Sequence, residues 1–305
     1  MHFMTKEPRV SIIILNWNGL DDTIECLESL KKITYNNYEV IVVDNASSGN
    51  DVSVLKKKFG KYISVIENDK NYGFAEGNNI AIRRVMKEGK SKYVLLLNND
   101  TVVDPHFLDE LVKTAECDPK IGIVGPKIYY YDEPDKIWLS GGKINLYLGK
   151  PNHYYKDYKE TELITRNIEL EHITGCAFLI KKELFEKIGI FDKMFFCYLE
   201  ETDFCFRARK LGYRIFWVGE SKIWHKISRS SVGNMSVYYL ARNRLIFMAN
   251  NSSFLHMIIF MPYQIFFKSL VALPYFVIRE KDLFKGFRLF LSFTRGLFAG
   301  IKAIL

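Results

Sequence analysis

With 305 residues, 48% hydrophobic and 15% aromatic, the chain is long and apolar enough for one large domain with an appendage, which excludes global disorder. Its net charge of +8 is unevenly spread: residues 206–305 carry 16 Lys and Arg against 3 Asp and Glu, so the rest of the chain is net acidic. An acidic front and a basic, aromatic rear argue against a nucleic-acid partner and for an anionic lipid surface.

The opening MHFMTKEPR has no apolar core, so no secretory signal is expected. Residues 10–15 are a continuous apolar run, read as a buried strand, and residues 21–30 set Ile24, Leu27 and Leu30 at helical spacing. A strand is predicted at 39–43, a helix at 52–59 and a short strand at 63–66. A helix at 75–88 with Ile80, Ile82 and Val85 inward, a strand at 93–97, a helix at 105–115 and a strand at 121–124 follow. This alternation predicts an α/β fold with a mostly parallel sheet covered by helices. Residues 127–171 read as irregular, with a Gly141-Gly142 turn, and helices are expected at 183–188 and 202–211. The five cysteines form no CxxC pair, so reduced and mostly buried thiols are expected rather than disulfides or zinc.

Polar residues gather where the predicted strands end: Asn16 and Asn18, then Asp44 and Asn45, then 68–71, then Asn98, Asn99 and Asp100. Open α/β sheets bind ligands at the carboxyl ends of their parallel strands. Asn and Asp also favour turns, but several such clusters at successive strand ends point to one site. A GxGxxG after the first strand and a GxxxxGK[ST] are both missing, which argues against a dinucleotide dehydrogenase and a P-loop ATPase. A carboxylate at a strand end suits a hard divalent cation that also holds substrate phosphates, and Asp100 is placed for it. Glu200, Glu201 and Asp203 form a second acidic cluster, followed by Arg207 at salt-bridge spacing. One of these carboxylates is expected to act as a general base on an acceptor hydroxyl. His225 with Asp100 would suit Mg²⁺ or Mn²⁺.

These residues, in this order, resemble the family 2 inverting glycosyltransferases of GT-A fold, especially the rhamnosyltransferase-like branch. The resemblance covers roughly residues 9–250. Residues 11–18 look like the opening strand and nucleotide loop, with Asn16 and Asn18, and residues 42–47 like the base-binding segment, with Asp44 and Asn45. Residues 71–79 look like a donor-side helix start, with Asn71, Gly73, Phe74 and Asn78, while Asn98-Asn99-Asp100 occupies the DxD position. Residues 189–192 and 200–203 look like the acceptor and base region, His225 like a further metal contact, and Arg242 like a late residue near the diphosphate. The resemblance implies a GT-A (nucleotide-diphospho-sugar transferase) fold with a divalent metal, Mg²⁺ or Mn²⁺, on Asp100 and His225. It implies Glu201 as base, with Glu200 as a substitute and Asp203 in the same cluster. The donor would be dTDP-rhamnose or a UDP-sugar, and the acceptor a lipid-linked or cell-envelope glycan. Two departures stand out: Asn98 replaces the family's first Asp, and Glu201 replaces the usual Asp base.

On this reading residues 1–126 are the nucleotide-sugar half, 127–244 the acceptor and catalytic half, and 245–305 a helical, basic, membrane-associated region. Residues 245–267 lack charge and are long enough to span a bilayer, but their Asn, Ser, His, Pro and Gln residues favour a buried or interfacial helix pair. Arg288, Arg295 and Lys302 recur every seven residues on one helical face, with Phe287, Leu291, Phe298 and Ile301 on others. Such a helix lies in a membrane interface or docks on the protein core. The expected location is the cytoplasmic face of the cell membrane. A nucleotidyltransferase would want a Gly-rich basic loop after the first strand, and a DxDxT phosphatase needs a nucleophilic Asp where Asn98 stands. The alternative kept open is a non-catalytic, membrane-bound sugar-nucleotide scaffold with a degenerate metal site.

Overall fold

The computed structural model describes residues 7–159, 166–227 and 233–305. Its first half alternates strands and helices: β1 (Val10–Asn16), α1 (Leu20–Leu30), β2 (Tyr38–Asp44), α2 (Asp51–Phe59), β3 (Ile63–Glu67), α3 (Gly73–Glu88), β4 (Tyr93–Asn98), β5 (Thr101–Val103), α4 (Phe107–Glu116) and β6 (Ile121–Tyr130). The middle holds β7 (Ile137–Leu139), β8 (Gly142–Asn145), β9 (Lys150–His153), β10 (Ile168–Leu170), β11 (Ala177–Lys181), α5 (Lys182–Ile188), α6 (Glu200–Lys210) and β12 (Arg214–His225). The rear is helical: α7 (Asn234–Asn251), α8 (Phe254–Pro262), a π-helical turn (Tyr263–Phe267), α9 (Lys268–Glu280) and α10 (Leu283–Ile304).

One sheet runs in the order β10-β12-β6-β11-β4-β1-β2-β3, with β5 added at β12 and β7 at β6. From β3 to β4 all neighbours are parallel, because each strand is followed by a helix that returns the chain to the same edge. The neighbouring β11 is antiparallel to both β4 and β6, so the sheet is mixed beyond that point. Side chains alternate along each strand. Ile12, Ile14, Leu95 and Leu97 therefore enter a core under α1 and α4, while Ile13, Val94 and Leu96 enter another with α3 and α6. The fold is the expected α/β GT-A-like one.

Residues 127–171 contain more strand than the sequence suggested. Their strands beyond β6 are three or four residues long, too short to show a period, and β8 pairs β9 outside the main sheet. β12 has twelve residues, and a register shift between Val218 and Lys222 breaks its alternation. The divisions drawn at 126 and 244 fall inside β6 and α7 rather than at breaks in the fold.

The rear helices pack on α7 and on Phe195 and Leu199, forming a third core. α10 lies close against α7 because Gly296 and Gly300 leave no side chain between them; a Cβ on Gly296 would stand 2.3 Å from the Tyr238 carbonyl oxygen. The uncharged run at 245–267 is not one helix. Leu245–Met248 is buried on α7, the chain breaks at Ser252, and the long apolar helix is instead Phe254–Glu280, 27 residues through the π turn. α10 docks through Leu289, Phe293 and Leu297, yet exposes Arg288, Arg295, Lys302, Phe287 and Phe298. The helix is docked on the protein, and its outer face is basic and apolar.

Candidate active site

β1, β2 and β3 end side by side, and their terminal residues knit together. Buried Asn16 donates through Nδ2 to Asp44 Oδ1 and Asp51 Oδ2, both at 2.9 Å, and accepts from Thr23 Oγ1 at 2.8 Å. Asp44 is nearly closed off, taking Ser47 N at 3.0 Å and Ser47 Oγ at 2.6 Å. Asn18 sits at φ +54°, a conformation Asn tolerates, and accepts from Ser48 N at 2.8 Å. A cavity of about 570 Å³ opens beyond them, lined by Asp44, Ser47, Asn50, Ser53, Lys56 and Asn68.

The second wall is the start of α3. Asn45 Nδ2 donates to Asn71 Oδ1 at 2.8 Å, and Asn71 Oδ1 also takes Gly73 N at 2.8 Å. Gly73 has φ +75°, and a Cβ there would meet the Phe196 carbonyl oxygen at 2.5 Å, so only glycine fits. Asn78 donates to the Phe74 carbonyl at 2.9 Å, and its neighbour Asn79 exchanges two hydrogen bonds with the Phe191 backbone. Most of these amides are thus spent on holding the loops in shape.

The third part is the turn between β4 and β5. Antiparallel pairing of β5 with β12 sets His225 opposite Thr101, so His225 Nε2 lies 3.0 Å from Asp100 Oδ1, both groups buried. Trp138 packs on the imidazole with ring centres 4.3 Å apart. Asn99 turns back to Thr23 Oγ1 at 3.0 Å. The Asn98 side chain is half-buried, and its N–H donates to the Cys176 carbonyl at 2.8 Å.

The acidic cluster lies across that bond. Gly175, next to Cys176, is the residue Glu201 packs against: a Cβ at Gly175 would lie 3.5 Å from Glu201 Cγ and 3.7 Å from the Phe74 ring. Phe196, Tyr198 and Leu199 all have positive φ between +61° and +72°, a costly run for side-chain-bearing residues just before Glu200. Buried Asn243 on α7 holds this turn by donating to the carbonyls of Phe195, Cys197 and Tyr198, each at 2.8 Å. Replacing Asn243 by Ala takes this donor from the Cys197 and Tyr198 carbonyls, while the Phe195 carbonyl keeps the Cys197 N–H at 2.7 Å. Stability is expected to fall by about 1–3 kcal/mol, read as a lower denaturation midpoint, with turnover falling more than donor affinity.

Burial pushes the Glu200 carboxyl well above its ordinary range, helped by the charge of Glu201, and its Oε2 has no hydrogen-bond partner among the described residues. Burial also raises Glu201, which stays half-open to the cleft. Two carboxyls this close do not both ionise readily; the more buried one keeps its proton. Asp203 is expected to belong to the same catalytic cluster. Its two oxygens accept from Arg207 Nε at 2.7 Å and Asn251 Nδ2 at 2.8 Å, and Arg207 continues to the Ile188 and Ile190 carbonyls. That network ties α6 to α7 and to the segment before it. Arg242 Nη1 donates to the Met194 carbonyl at 2.7 Å and to Asn243 Oδ1 at 2.9 Å. Thr23, Asp51 and Gly175 were not singled out from sequence. Asp51 lies close after the Asp44-Asn45 cluster, but a carboxylate at a helix start is ambiguous.

Residues 11–189 match the model of Glycosyl transferase family 2. The chain belongs to that family. A hexosyltransferase of low-salt glycan biosynthesis from Haloferax volcanii, Agl10, is 29% identical over 258 residues, covering 80% of this chain and 76% of its own. An N-acetylglucosaminyl-diphospho-decaprenol L-rhamnosyltransferase from Mycobacterium tuberculosis is 22% identical over 245 residues, covering 74% of this chain and 80% of its own. Among solved structures, GalNAc-T7 with UDP, GalNAc and Mn²⁺ superposes with a TM-score of 0.67 at 16% identity, over 98% of this chain but 58% of that longer one. The chain is a family 2 glycosyltransferase with the GT-A fold.

Proposed function

We propose that this glycosyltransferase moves a sugar from a nucleoside-diphosphate donor to an acceptor hydroxyl by a single displacement that inverts the anomeric carbon. One observation carries the reading: the side chain of half-buried Glu201 packs against Gly175, whose neighbour Cys176 accepts from Asn98 N at the start of the Asn98-Asn99-Asp100 turn. This nearness supports a base and a diphosphate-holding turn acting on one bound donor. The cavity beside Asp44 suits a pyrimidine nucleoside, as in dTDP-rhamnose or a UDP-sugar.

Asp100 and His225 are the residues that would hold Mg²⁺ or Mn²⁺. Their donor atoms are 3.0 Å apart, which fits adjacent ligands of an octahedral ion with bonds of about 2.1 Å. No group of three or more His, Cys, Asp or Glu placed to hold one metal ion occurs among the described residues, so waters and substrate phosphates would complete the shell. When bound, the ion neutralises the departing diphosphate. Asn98 offers a neutral oxygen beside it. Glu201 removes the acceptor proton, and protonated Glu200 keeps a second negative charge out of the site.

A lipid-linked or cell-envelope glycan is the proposed acceptor, met at the cytoplasmic face of a membrane. The diphospho-decaprenol in the name of the Mycobacterium tuberculosis relative supports this, as does the apolar outer face of α8 and α9, where Phe266 is 74% and Leu270 78% exposed. Two adjacent large apolar side chains left in water favour burial in an interface. Deleting the rear helices would strip a core from α7, so a milder change is informative. Phe266→Glu with Leu270→Glu is expected to move the protein from the vesicle pellet to the supernatant, with an unchanged circular dichroism spectrum. The reaction itself is tested by nucleoside diphosphate release from a panel of nucleotide sugars, with and without Mn²⁺ or Mg²⁺. Metal-dependent release from one donor supports the reading. Nucleotide binding with no transfer to any lipid-extract acceptor would instead favour a scaffold.

A further inference from the structure

A second cavity, of about 420 Å³, lies among the rear helices, away from the acidic cluster. Asn243 faces the turn at 195–198, whereas Arg244, about 100° further round α7, lines this cavity. Lys268, at the end of the π turn, lines it too, and Val271, Ala272, Tyr275, Phe276 and Phe293 supply an apolar wall. Buried Arg244 Nε has no hydrogen-bond partner, and neither Arg244 nor Lys268 has an ion pair among the described residues. Burial, together with the charges of Arg244 and Lys150, lowers Lys268 to about 7. Cations crowded into a half-apolar cavity without a counter-ion cost stability unless an anion joins them. Arg279 at the rim is already paired with Glu280 at 2.7 Å.

We propose that this cavity binds the phosphate of a phosphate-bearing lipid, its non-bridging oxygens on Arg244 and Lys268 and its chain along Val271 and Tyr275. Guanidinium and ammonium groups together match a phosphate, which offers several acceptors and a full charge. The rim continues into the exposed apolar face at Phe266 and Leu270, so the chain of the same molecule has an apolar path outward. The inference extends the membrane reading above by naming a lipid site within it.

The test uses the full-length protein in a non-ionic detergent and phosphate-free buffer, with dihexanoyl phosphatidylglycerol below its micellar concentration, followed by calorimetry. Saturable 1:1 binding is expected, weakened at least tenfold by Arg244→Gln with Lys268→Gln. Because that pair of changes removes unpaired buried charge, the variant should unfold at the same temperature or higher. Val271→Trp, which fills the cavity and keeps both charges, should also block binding. Absence of saturable binding by the wild type, or wild-type affinity in either the charge variant or the filling variant, overturns the proposal. Equal affinity for inorganic phosphate would overturn the lipid assignment and leave a free-anion site. Since the probe is soluble, Phe266→Glu with Leu270→Glu should still bind it. Failure of vesicle association therefore remains distinguishable from failure of this site.

Discussion

Replacing Glu201 by Gln is expected to cut turnover by about 10²–10⁴-fold, the usual contribution of a positioned general base, with donor affinity nearly unchanged. Glu200→Gln is the instructive contrast. Glu200 is the more deeply buried of the two, and burial and the neighbouring charge hold its proton in place. Gln is close to isosteric with a protonated carboxyl, so this variant should keep most of the activity. Glu201→Gln removes an ionisable group that the reaction needs; Glu200→Gln replaces a neutral group with another neutral group. The pH profile gives a second readout. Glu201 is raised, and it works as base only when ionised, so kcat/KM should fall as pH drops through an apparent pKa above the ordinary carboxylate value of about 4.3. The loss lies on the acid side, because a raised carboxyl gains its proton at a higher pH than a free one. In Glu201→Gln that acid limb should disappear. Equal losses in the two variants, or an unchanged limb, would move the base elsewhere in the cleft.

Much of the nucleotide half was readable because its strands are buried on both faces. A run such as residues 10–15 has one reading, and the helix between each pair of strands makes them parallel. The polar ends were readable for the same reason: Asn and Asp interrupt apolar runs where the chain leaves the core. What each side chain does there was not readable. Asn16, Asn45, Asn78 and Asn99 look from sequence like ligand contacts, yet they hydrogen-bond the loops that shape the cleft. Asp203 is similar. Its spacing to Arg207 was visible, but Asn251, which occupies its other oxygen, lies 48 residues away on a helix whose packing no local pattern reports. Asn243 is the opposite case, a residue of modest appearance whose side chain reaches three carbonyls of a strained turn. The pairing of Asp100 with His225 is expected from the resemblance, but the route was not legible: β5 has three residues, and its antiparallel pairing with β12 sets His225 opposite Thr101.

Removing the Asp100 carboxylate is the other change of large expected effect. Asp100→Ala should lower metal-stimulated donor turnover by about 10³-fold, matching the several kcal/mol that a metal supplies to a departing diphosphate. The turn itself should survive, because the Asp100 carbonyl still accepts from Lys226 N at 2.9 Å and Thr101 Oγ1 still bonds the Asn98 carbonyl at 2.7 Å. Loss of fold is therefore a weak explanation for loss of activity, and Asp100→Asn, which keeps the shape, should behave almost as badly. Asn98 sharpens the argument. Its side chain is half-buried beside Asp100, and it is neutral where the family usually carries a carboxylate. Asn98→Asp puts a second negative charge next to the proposed ion, so it should lower the metal concentration needed for half-maximal activity in wild-type background and fail to do so when Asp100 is Ala. Mn²⁺ binding followed by electron paramagnetic resonance gives the same comparison without turnover. Tighter binding in Asn98→Asp, weaker binding in Asp100→Ala and an intermediate result for His225→Gln would place the ion on this turn. An unchanged Mn²⁺ signal across all three would remove it from there, whatever the activities, and leave Asp100 and His225 as a buried pair that joins β5 to β12.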